Sequence, residues 1–237
     1  MPTTHAHHAH QAHRADRADR AGVRAASAEE RRVIARAART LFARRGWTRT
    51  TVEAVAAEAG VPVDSVERCF QDKEQLLLAV LMESSAFVAA ALTAIAEEHL
   101  GDVGDLTDTA DLESELIALG HAWLTPLTAF REHFAIVRHL SAEITSLPAQ
   151  AAEKWQSAGP RQARGALARR LRHVADQGLL GIPDADQAAD RFILLVPSGV
   201  VQRSFHGAVP LGPEETHALI ADGVADFIRL YGRHTSR

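Results

Sequence analysis

Residues 31–77 read RRVIARAARTLFARRGWTRTTVEAVAAEAGVPVDSVERCFQDKEQLL, and this stretch decides the fold. Apolar residues recur at helical spacing over 33–42, and Gly46 is placed to end the helix that they predict. Residues 50–53, Thr-Thr-Val-Glu, have the spacing of a capped helix start. A second, short helix is therefore predicted from this point to about Ala59.

A tight turn at Gly60 separates the second helix from a third, predicted from about Pro62 or Val63 to Phe70. Small alanines before the turn let the two short helices approach closely, which favours a helix-turn-helix. Asp72, with Gln75 three residues later, then caps a much longer helix.

The same stretch resembles the N-terminal domain of the TetR family of DNA-binding regulators over about 47 residues. Leu41-Phe42, Gly46-Trp47, Gly60-Val61, Phe70 and Lys73-Glu74 stand where that family has its motif residues. The resemblance implies an all-α protein. Its three-helix DNA-binding domain would be joined by a long helix to a helical domain for ligand binding and dimerisation.

The resemblance also implies which residues contact DNA. Arg49, Thr50 and Thr51 would contact phosphates through side chains and helix-start amides. Lys73 would pair with a phosphate, unless it is only a solvated surface lysine. The residues expected to face the groove from the third helix are Val63, Asp64, Ser65 and Arg68.

The third helix departs from the family pattern at residues 64–67, where Asp-Ser-Val-Glu replaces the usual Gly-Thr-Leu-Tyr. Because the tyrosine commonly lies against a phosphate, Glu67 would oppose a phosphate there. Alternatively, Glu67 turns into the groove and accepts a hydrogen bond from a cytosine amino group. Residues 28–75 hold nine Arg or Lys and eight Asp or Glu. We therefore expect modest non-specific affinity for DNA.

Residues 5–20 lack large apolar side chains, so residues 1–27 are predicted to be a disordered arm. Its histidines could hold a transition metal weakly, and its arginines could instead reach DNA. The histidines are His5, His7, His8, His10 and His13, and the arginines are Arg14, Arg17, Arg20 and Arg24. The predicted division is an arm over 1–27, a DNA-binding domain over 28–74 and a ligand-binding and dimerisation domain over 75–237.

The remainder of the chain is also predicted to be helical, since no segment alternates as a strand does. The residues beyond 100 resemble, more loosely, a C-terminal domain of many TetR-type regulators. Pro197 removes a backbone hydrogen bond and should kink its helix. The predicted helices span 109–127, 130–146, 148–158 merging into 160–178, 184–207 and 213–231.

A ligand pocket is expected where aromatic and stray polar side chains meet on the middle helices. Each of these residues could equally be an ordinary core or surface residue. The candidate lining is apolar at Phe87, Trp123, Phe130, Phe134, Val137 and Trp155, with His121, His139 and Glu143 to orient the ligand.

A homodimer interface is expected from apolar stripes on the last two helices, because one chain would not cover both faces of each. The alternative is that each stripe belongs to the core of the single chain. The stripe residues are Phe192, Leu195, Val196, Gly199, Val200, Ile220, Val224, Phe227, Ile228 and Tyr231.

Composition and motifs exclude several classes of protein. The net charge of −4 argues against a protein that coats nucleic acid over its whole surface. No hydrolase, zinc-protease, phosphate-loop or Cys-x-x-Cys motif occurs, so we expect no enzyme and no cofactor or bound metal. We expect no membrane-spanning or secretory segment. The single cysteine, Cys69, fits a reducing cytoplasm.

Overall fold

The computed structural model describes residues 27–101, 109–143 and 149–232. In these ranges the chain forms twelve α-helices, and the only β-type pairing is an isolated bridge between Leu180 and Gly232. The all-α prediction is therefore confirmed. Residues 1–26 of the predicted arm lie outside the described residues, and Ser27 is the first residue of the first helix.

The helices follow one another in the order that the sequence predicted, with two extra breaks. They are α1 (27–45), α2 (Val52–Ala59), α3 (Val63–Phe70), α4 (Lys73–Leu100), α5 (Thr109–Ala122), α6 (Thr125–Ala129), α7 (Arg131–Ala142), α8 (Ala149–Ala158), α9 (Pro160–Asp176), α10 (Ala185–Leu195), α11 (Ser198–Arg203) and α12 (Pro213–Tyr231).

Both extra breaks have local causes. The predicted helix over 109–127 is interrupted at Trp123 and Leu124, and α6 begins with Pro126 in its first turn. The predicted helix over 184–207 is interrupted at Pro197, which lacks the N–H that would continue the backbone ladder. Hence the expected disruption at Pro197 is a full break between α10 and α11.

The chain divides into two compact units, Met1–Val80 and Leu81–Arg237, with the boundary inside α4. In the first unit, helices α1 to α4 bury an apolar core around Phe42. The buried side chains include Ile34, Leu41, Phe42, Val55, Val66, Phe70, Leu76 and Leu77.

The second unit has its core between α5, α9, α10 and α12 and the later part of α4. Phe192 and Phe227 meet edge to face in this core, with ring centroids 5.3 Å apart. Gly223 allows α10 and α12 to pack closely, because it has no side chain. A Cβ at Gly223 on α12 would overlap the carbonyl oxygen of Leu195 on α10 and lie 2.9 Å from the Cα of Val196.

This packing corrects the predicted dimer interface. Seven of the ten stripe residues are buried within one protomer, because α10 and α12 turn their apolar faces toward each other and toward α5 and α9. Those seven are Phe192, Val196, Val200, Ile220, Val224, Phe227 and Tyr231, while Leu195, Gly199 and Ile228 are partly buried. The alternative interpretation, a core within the single chain, therefore holds for the seven.

Helix α4 corrects the expectation that no segment is long and apolar enough to cross a membrane. Lys73–Leu100 meets that criterion by length and composition. Half of its most apolar window is buried inside the protein, and the core helix of a soluble protein passes the same test. By itself, therefore, this helix is weak evidence for a membrane span.

Candidate DNA-binding surface and ligand cavity

The turn between α2 and α3 has the geometry that the sequence predicted. Gly60 adopts a left-handed conformation with φ 67°, which glycine reaches without steric cost. Its N–H and that of Val61 donate to carbonyl groups near the end of α2, so the turn is held by backbone hydrogen bonds. Val66 and Phe70 are buried beneath α3, as expected.

The capping residue of α2 lies one position later than predicted. Thr51 is the capping residue, and its Oγ1 accepts a hydrogen bond from the N–H of Ala54 at 3.2 Å. Thr50 is instead fully buried, and its hydroxyl donates to the carbonyl oxygen of Gly46 at 2.8 Å. The expected phosphate contact of the Thr50 side chain is therefore inconsistent with its position, whereas Thr51 is exposed.

One face of α3 is turned outward. Asp64, Glu67 and Arg68 are exposed and Val63 is half-buried, which is the spacing of a single helix face. Ser65 departs from the prediction: it is buried, and its hydroxyl accepts a hydrogen bond from Arg68 Nη2 at 2.9 Å. Ser65 therefore holds Arg68 in place rather than facing outward itself.

The two cations that the resemblance assigned to phosphate contacts have defined partners. Arg49 is exposed, and its Nε donates to the carbonyl oxygen of Arg45 at 2.8 Å. Lys73 Nζ lies 4.8 Å from the ring centroid of Trp47 and donates to the Thr48 carbonyl oxygen at 3.4 Å. These contacts place the ammonium group of Lys73, the first residue of α4, against Trp47 and Thr48.

The sequence analysis missed a further arginine that fixes α3. The Arg31 guanidinium lies 4.0 Å above the Phe70 ring and donates a hydrogen bond to the carbonyl oxygen of Cys69. A cation over an aromatic face stabilises this contact between α1 and the end of α3. The sequence signal for this residue is the Arg31-Arg32 pair at the start of the motif. The spacing of the residues alone did not show that Arg31 contacts Phe70.

The second unit contains a cavity of about 270 Å³. Four of the nine predicted pocket residues line it: Trp123, Phe134, Val137 and Trp155. The full lining is Ser85, Val88, Ala89, Leu92, Trp123, Pro126, Leu127, His133, Phe134, Val137, Trp155, Gly159, Pro160, Ala163, Ile193, Val201 and His206.

The other five predicted pocket residues do not line the cavity. On α7, positions 133, 134 and 137 share one helical face, and His139 lies well off that face. Phe87 is 55% exposed on the surface of α4. Phe130 and Glu143 are half-buried at the two ends of α7. His121 contacts His217 instead.

His121 on α5 pairs with His217 on α12. Their rings stack at 5.4 Å between centroids, with His121 Nε2 3.1 Å from His217 Nδ1. Burial and, secondarily, the charge of His217 lower the pKa of His121. Among the residues that the structure describes, no cluster of three or more metal-ligating side chains occurs.

Sequence reasoning missed the polar lining of the cavity, namely Ser85, His133 and His206. His133 Nδ1 lies 3.0 Å from the hydroxyl oxygen of Ser84, the residue next to Ser85. The signal was a pair of serines inside the apolar run of α4, where polar residues are unexpected.

His206 reaches the cavity from the corner that follows α11. Its backbone is left-handed, with φ 53°, and Arg138 Nη1 donates to its carbonyl oxygen at 3.0 Å. Burial, followed by the charge of Arg138, lowers the pKa of His206 below its ordinary value of 6.5. The ring is therefore neutral at pH 7.

Comparison of the sequence with known families gives two matches. Residues 34–80 match the family model described as bacterial regulatory proteins of the tetR family. Residues 114–233, half of the chain, match the model described as the C-terminal domain of AefR-like transcriptional repressors. No curated protein gives a match.

Several solved structures share the fold. A regulator from Mesorhizobium loti MAFF303099 assigned to the TetR family is 21% identical, with a TM-score of 0.72 over 87% of this chain and 98% of that one. The flavonoid-responsive regulator FrrA is 22% identical, with a TM-score of 0.61 over 88% and 100%.

The complex of SmeT with triclosan is 23% identical to this chain, with a TM-score of 0.57 over 87% of this chain and 93% of that one. SmeT is the repressor of the Stenotrophomonas maltophilia multidrug efflux pump SmeDEF. At these identities the likenesses concern the fold alone. The two family matches carry the assignment: this chain belongs to the TetR family of bacterial transcriptional regulators, which are DNA-binding proteins and not enzymes.

Proposed function

We propose that this protein is a ligand-responsive repressor that binds its operator as a homodimer and is released when a small molecule occupies the cavity. The observation that carries the proposal is the outward face of α3, whose inner residues are buried. Val63, Asp64, Glu67 and Arg68 lie on this face, opposite the buried Val66 and Phe70. In a helix-turn-helix, the N-terminal residues of the second helix contact base edges in the major groove.

Phosphate contacts would surround these base contacts. Thr51 and the positive end of the α2 helix dipole suit a phosphate, because helix N-termini attract anions. Arg49 and Lys73 supply positive charge beside them. Such contacts position the protein on the duplex without reading its sequence.

The cavity in Leu81–Arg237 is the site proposed for the effector. It is lined mainly by apolar and aromatic side chains with a few polar groups, as small-molecule sites are. FrrA is described as flavonoid-responsive, and SmeT is seen with triclosan. These two relatives support an effector role for the cavity in this chain.

Helix α4 is the proposed connection between the two activities. Its first residue, Lys73, belongs to the DNA-binding motif, and four later residues line the cavity: Ser85, Val88, Ala89 and Leu92. A ligand that tilts α4 would change the spacing of the two recognition helices of the dimer. These helices must lie about 34–36 Å apart, one turn of DNA, so a modest shift weakens binding.

The dimer is proposed to form through the exposed faces of α10 and α12. Leu194 on α10 is 67% exposed and Leu230 on α12 is 57% exposed. Large exposed hydrophobic residues on a contact surface would be covered by a second copy. Sedimentation at micromolar concentration should give a species of twice 25.6 kDa, and a single species of 25.6 kDa contradicts the dimer.

Release of the protein from DNA by ligand is tested by comparing how ligand and operator change each other's affinity. The operator is first identified by a mobility shift with the DNA that flanks the protein's own gene, and a ligand by thermal-shift screening of small aromatic compounds. Ligand must weaken operator affinity by the same factor by which operator weakens ligand affinity. Equal ligand affinity with and without operator would refute release. Both events are proposed to occur in the cytoplasm, where the DNA lies.

A second candidate function is a ligand-binding dimer with weak or lost DNA binding. The exposed carboxylate of Glu67 on α3 favours it, because this charge would repel phosphates. The same mobility shift separates the two functions. A preference for the flanking DNA over an unrelated duplex supports the regulator, and no detectable shift at low salt supports the alternative.

A further inference from the structure

Two polar groups in the cavity of the second unit lack hydrogen-bond partners. The hydroxyl oxygen of Ser85 and the indole Nε1 of Trp155 are buried, and neither has a partner among the described residues. Ser85 is only 2% exposed. Buried polar atoms are nearly always hydrogen-bonded in folded proteins. Trp47 and Arg164 also hold unpartnered buried nitrogens, but only Ser85 and Trp155 bring two such atoms to residues of one cavity lining, which points to a bound molecule as their partner.

These two groups set the hydrogen bonds that a bound molecule can make. An indole Nε1–H is only a donor, so Trp155 requires an acceptor atom on the ligand. The Ser85 hydroxyl can donate or accept, so it tolerates either a carbonyl or a hydroxyl oxygen. The complementary group is therefore an oxygen that can accept a hydrogen bond.

The rest of the lining carries no permanently charged side chain. None of the lining residues is Asp, Glu, Lys or Arg, so neither an anion nor a cation would find a permanent counter-charge. Arg138 is not a lining residue, and its Nη1 donates to the carbonyl oxygen of His206. The lowered pKa of His206 favours its neutral ring at pH 7, and the other lining histidine, His133, is paired with Ser84 through Nδ1.

The size and shape of the cavity narrow the class of ligand further. The volume of about 270 Å³ lies just below the range of roughly 300–1,000 Å³ typical of drug-sized ligands. Aromatic rings at Trp123, Phe134 and Trp155 form much of the wall, and flat rings pack well against such walls.

We propose that the cavity binds a small, neutral aromatic compound carrying a hydroxyl or carbonyl oxygen, which accepts from Trp155 Nε1 and bonds to Ser85 Oγ. Its role as effector rests on the proposed function, but its binding does not. The assignment adds a ligand class, and names the two side chains that select it.

Naphthalene and three of its derivatives test this class of ligand by calorimetric titration of the full-length protein at pH 7. The neutral 2-naphthol should bind about tenfold more tightly than naphthalene, since one net hydrogen bond is worth about that factor. The anion 2-naphthoate and the cation 2-naphthylmethylammonium should both bind more weakly than 2-naphthol. Equal affinity for naphthol and naphthalene, or tighter binding of either ion, would overturn the proposal.

Two conservative variants test the residues. Ser85→Ala removes the hydroxyl with little change of shape, and Trp155→Phe removes the indole N–H together with part of the ring. Each should reduce the ratio of 2-naphthol affinity to naphthalene affinity, whatever it does to naphthalene affinity itself. Ser157→Ala is the matched control, because it removes a serine hydroxyl that does not line the cavity. An unchanged ratio in both test variants, or a reduced ratio in Ser157→Ala, contradicts the assignment. Ser85→Ala keeps the test valid if Trp155→Phe does not fold.

Measuring DNA affinity together with ligand binding distinguishes the proposed ligand class from the proposed release of DNA. If 2-naphthol binds as predicted but leaves DNA affinity unchanged, the ligand class stands and release by ligand fails. If the protein is instead released from DNA by a charged compound that competes with naphthalene, release stands and the ligand class fails.

Discussion

The ammonium group of Lys73 lies 4.8 Å from the ring centroid of Trp47, although 26 positions separate the two residues in the chain. A cation over an aromatic face is attracted to the ring, and the ammonium also donates a hydrogen bond to the Thr48 carbonyl oxygen. The two contacts place one positive charge at the head of α4.

Replacing Lys73 with Met should weaken binding to every DNA sequence alike, because a phosphate contact carries no sequence information. For a dimer, two phosphate contacts are lost, so the slope of log affinity against log salt should become shallower by about two. Fluorescence anisotropy with operator and unrelated duplexes measures both. Lys154, the other lysine of the chain, is the control: Lys154→Met should change neither. A loss confined to the operator would show that Lys73 reads bases.

Glu67 offers a gain of binding. If its exposed carboxylate opposes a phosphate, Glu67→Gln should raise affinity for operator and unrelated DNA by a similar factor. If it accepts from a cytosine amino group instead, the same change should cost about 1–3 kcal/mol on the operator alone. We expect the first result, and competition titrations with both duplexes distinguish it. A loss specific to the operator contradicts it.

The close crossing of α10 and α12 makes Gly223 critical for stability. In Gly223→Ala the added Cβ would meet the backbone of Leu195 and Val196, so the free energy of unfolding should fall by about 1–3 kcal/mol. Gly165→Ala on α9 is the matched control, because the nearest atom to its Cβ is the end of the Arg169 side chain at 3.8 Å. That variant should be more stable by up to about 1 kcal/mol through helix propensity. Urea denaturation measures both, and equal stability of the two variants would contradict the packing.

The stacked histidines predict a pH dependence. Burial and His217 lower the pKa of His121, so the folded protein binds fewer protons at this residue than the unfolded chain does. Stability from this residue is therefore full above pH 6.5 and is lost as the pH falls below that value. In His217→Gln, the pKa of His121 should rise toward its ordinary value, leaving the effect of burial. Proton NMR titration of the two proteins measures the shift, and an unchanged pKa would contradict the pairing.

The sequence predicted the DNA-binding motif well because its signals are local. Gly60, Val66 and Phe70 each act through the conformation or burial of their own short segment, and all three lie as predicted. The cap was placed one residue early, at Thr50. Two adjacent threonines fit the same spacing, and only the fold decides which of them is buried.

The second unit was harder because its features depend on which surfaces meet. Phe192 and Phe227 form apolar stripes whether a stripe faces its own chain or a second copy, so the sequence could not distinguish core from interface. The aromatic wall residues Trp123 and Phe134 followed from composition. The polar lining did not, because His206 reaches the cavity only through the backbone corner that ends α11.

The central claim is that the outward face of α3 reads a DNA sequence. Selection from a random library of duplexes about 30 base pairs long, roughly three helical turns, tests it most directly. The wild-type protein should enrich one two-fold symmetric sequence and bind it at least about 10³-fold more tightly than unrelated DNA. Val63→Ala/Asp64→Ala should lose that preference and retain its affinity for unrelated DNA. Enrichment of no sequence by the wild-type protein, or of the same sequence with the same preference by the variant, would contradict the account.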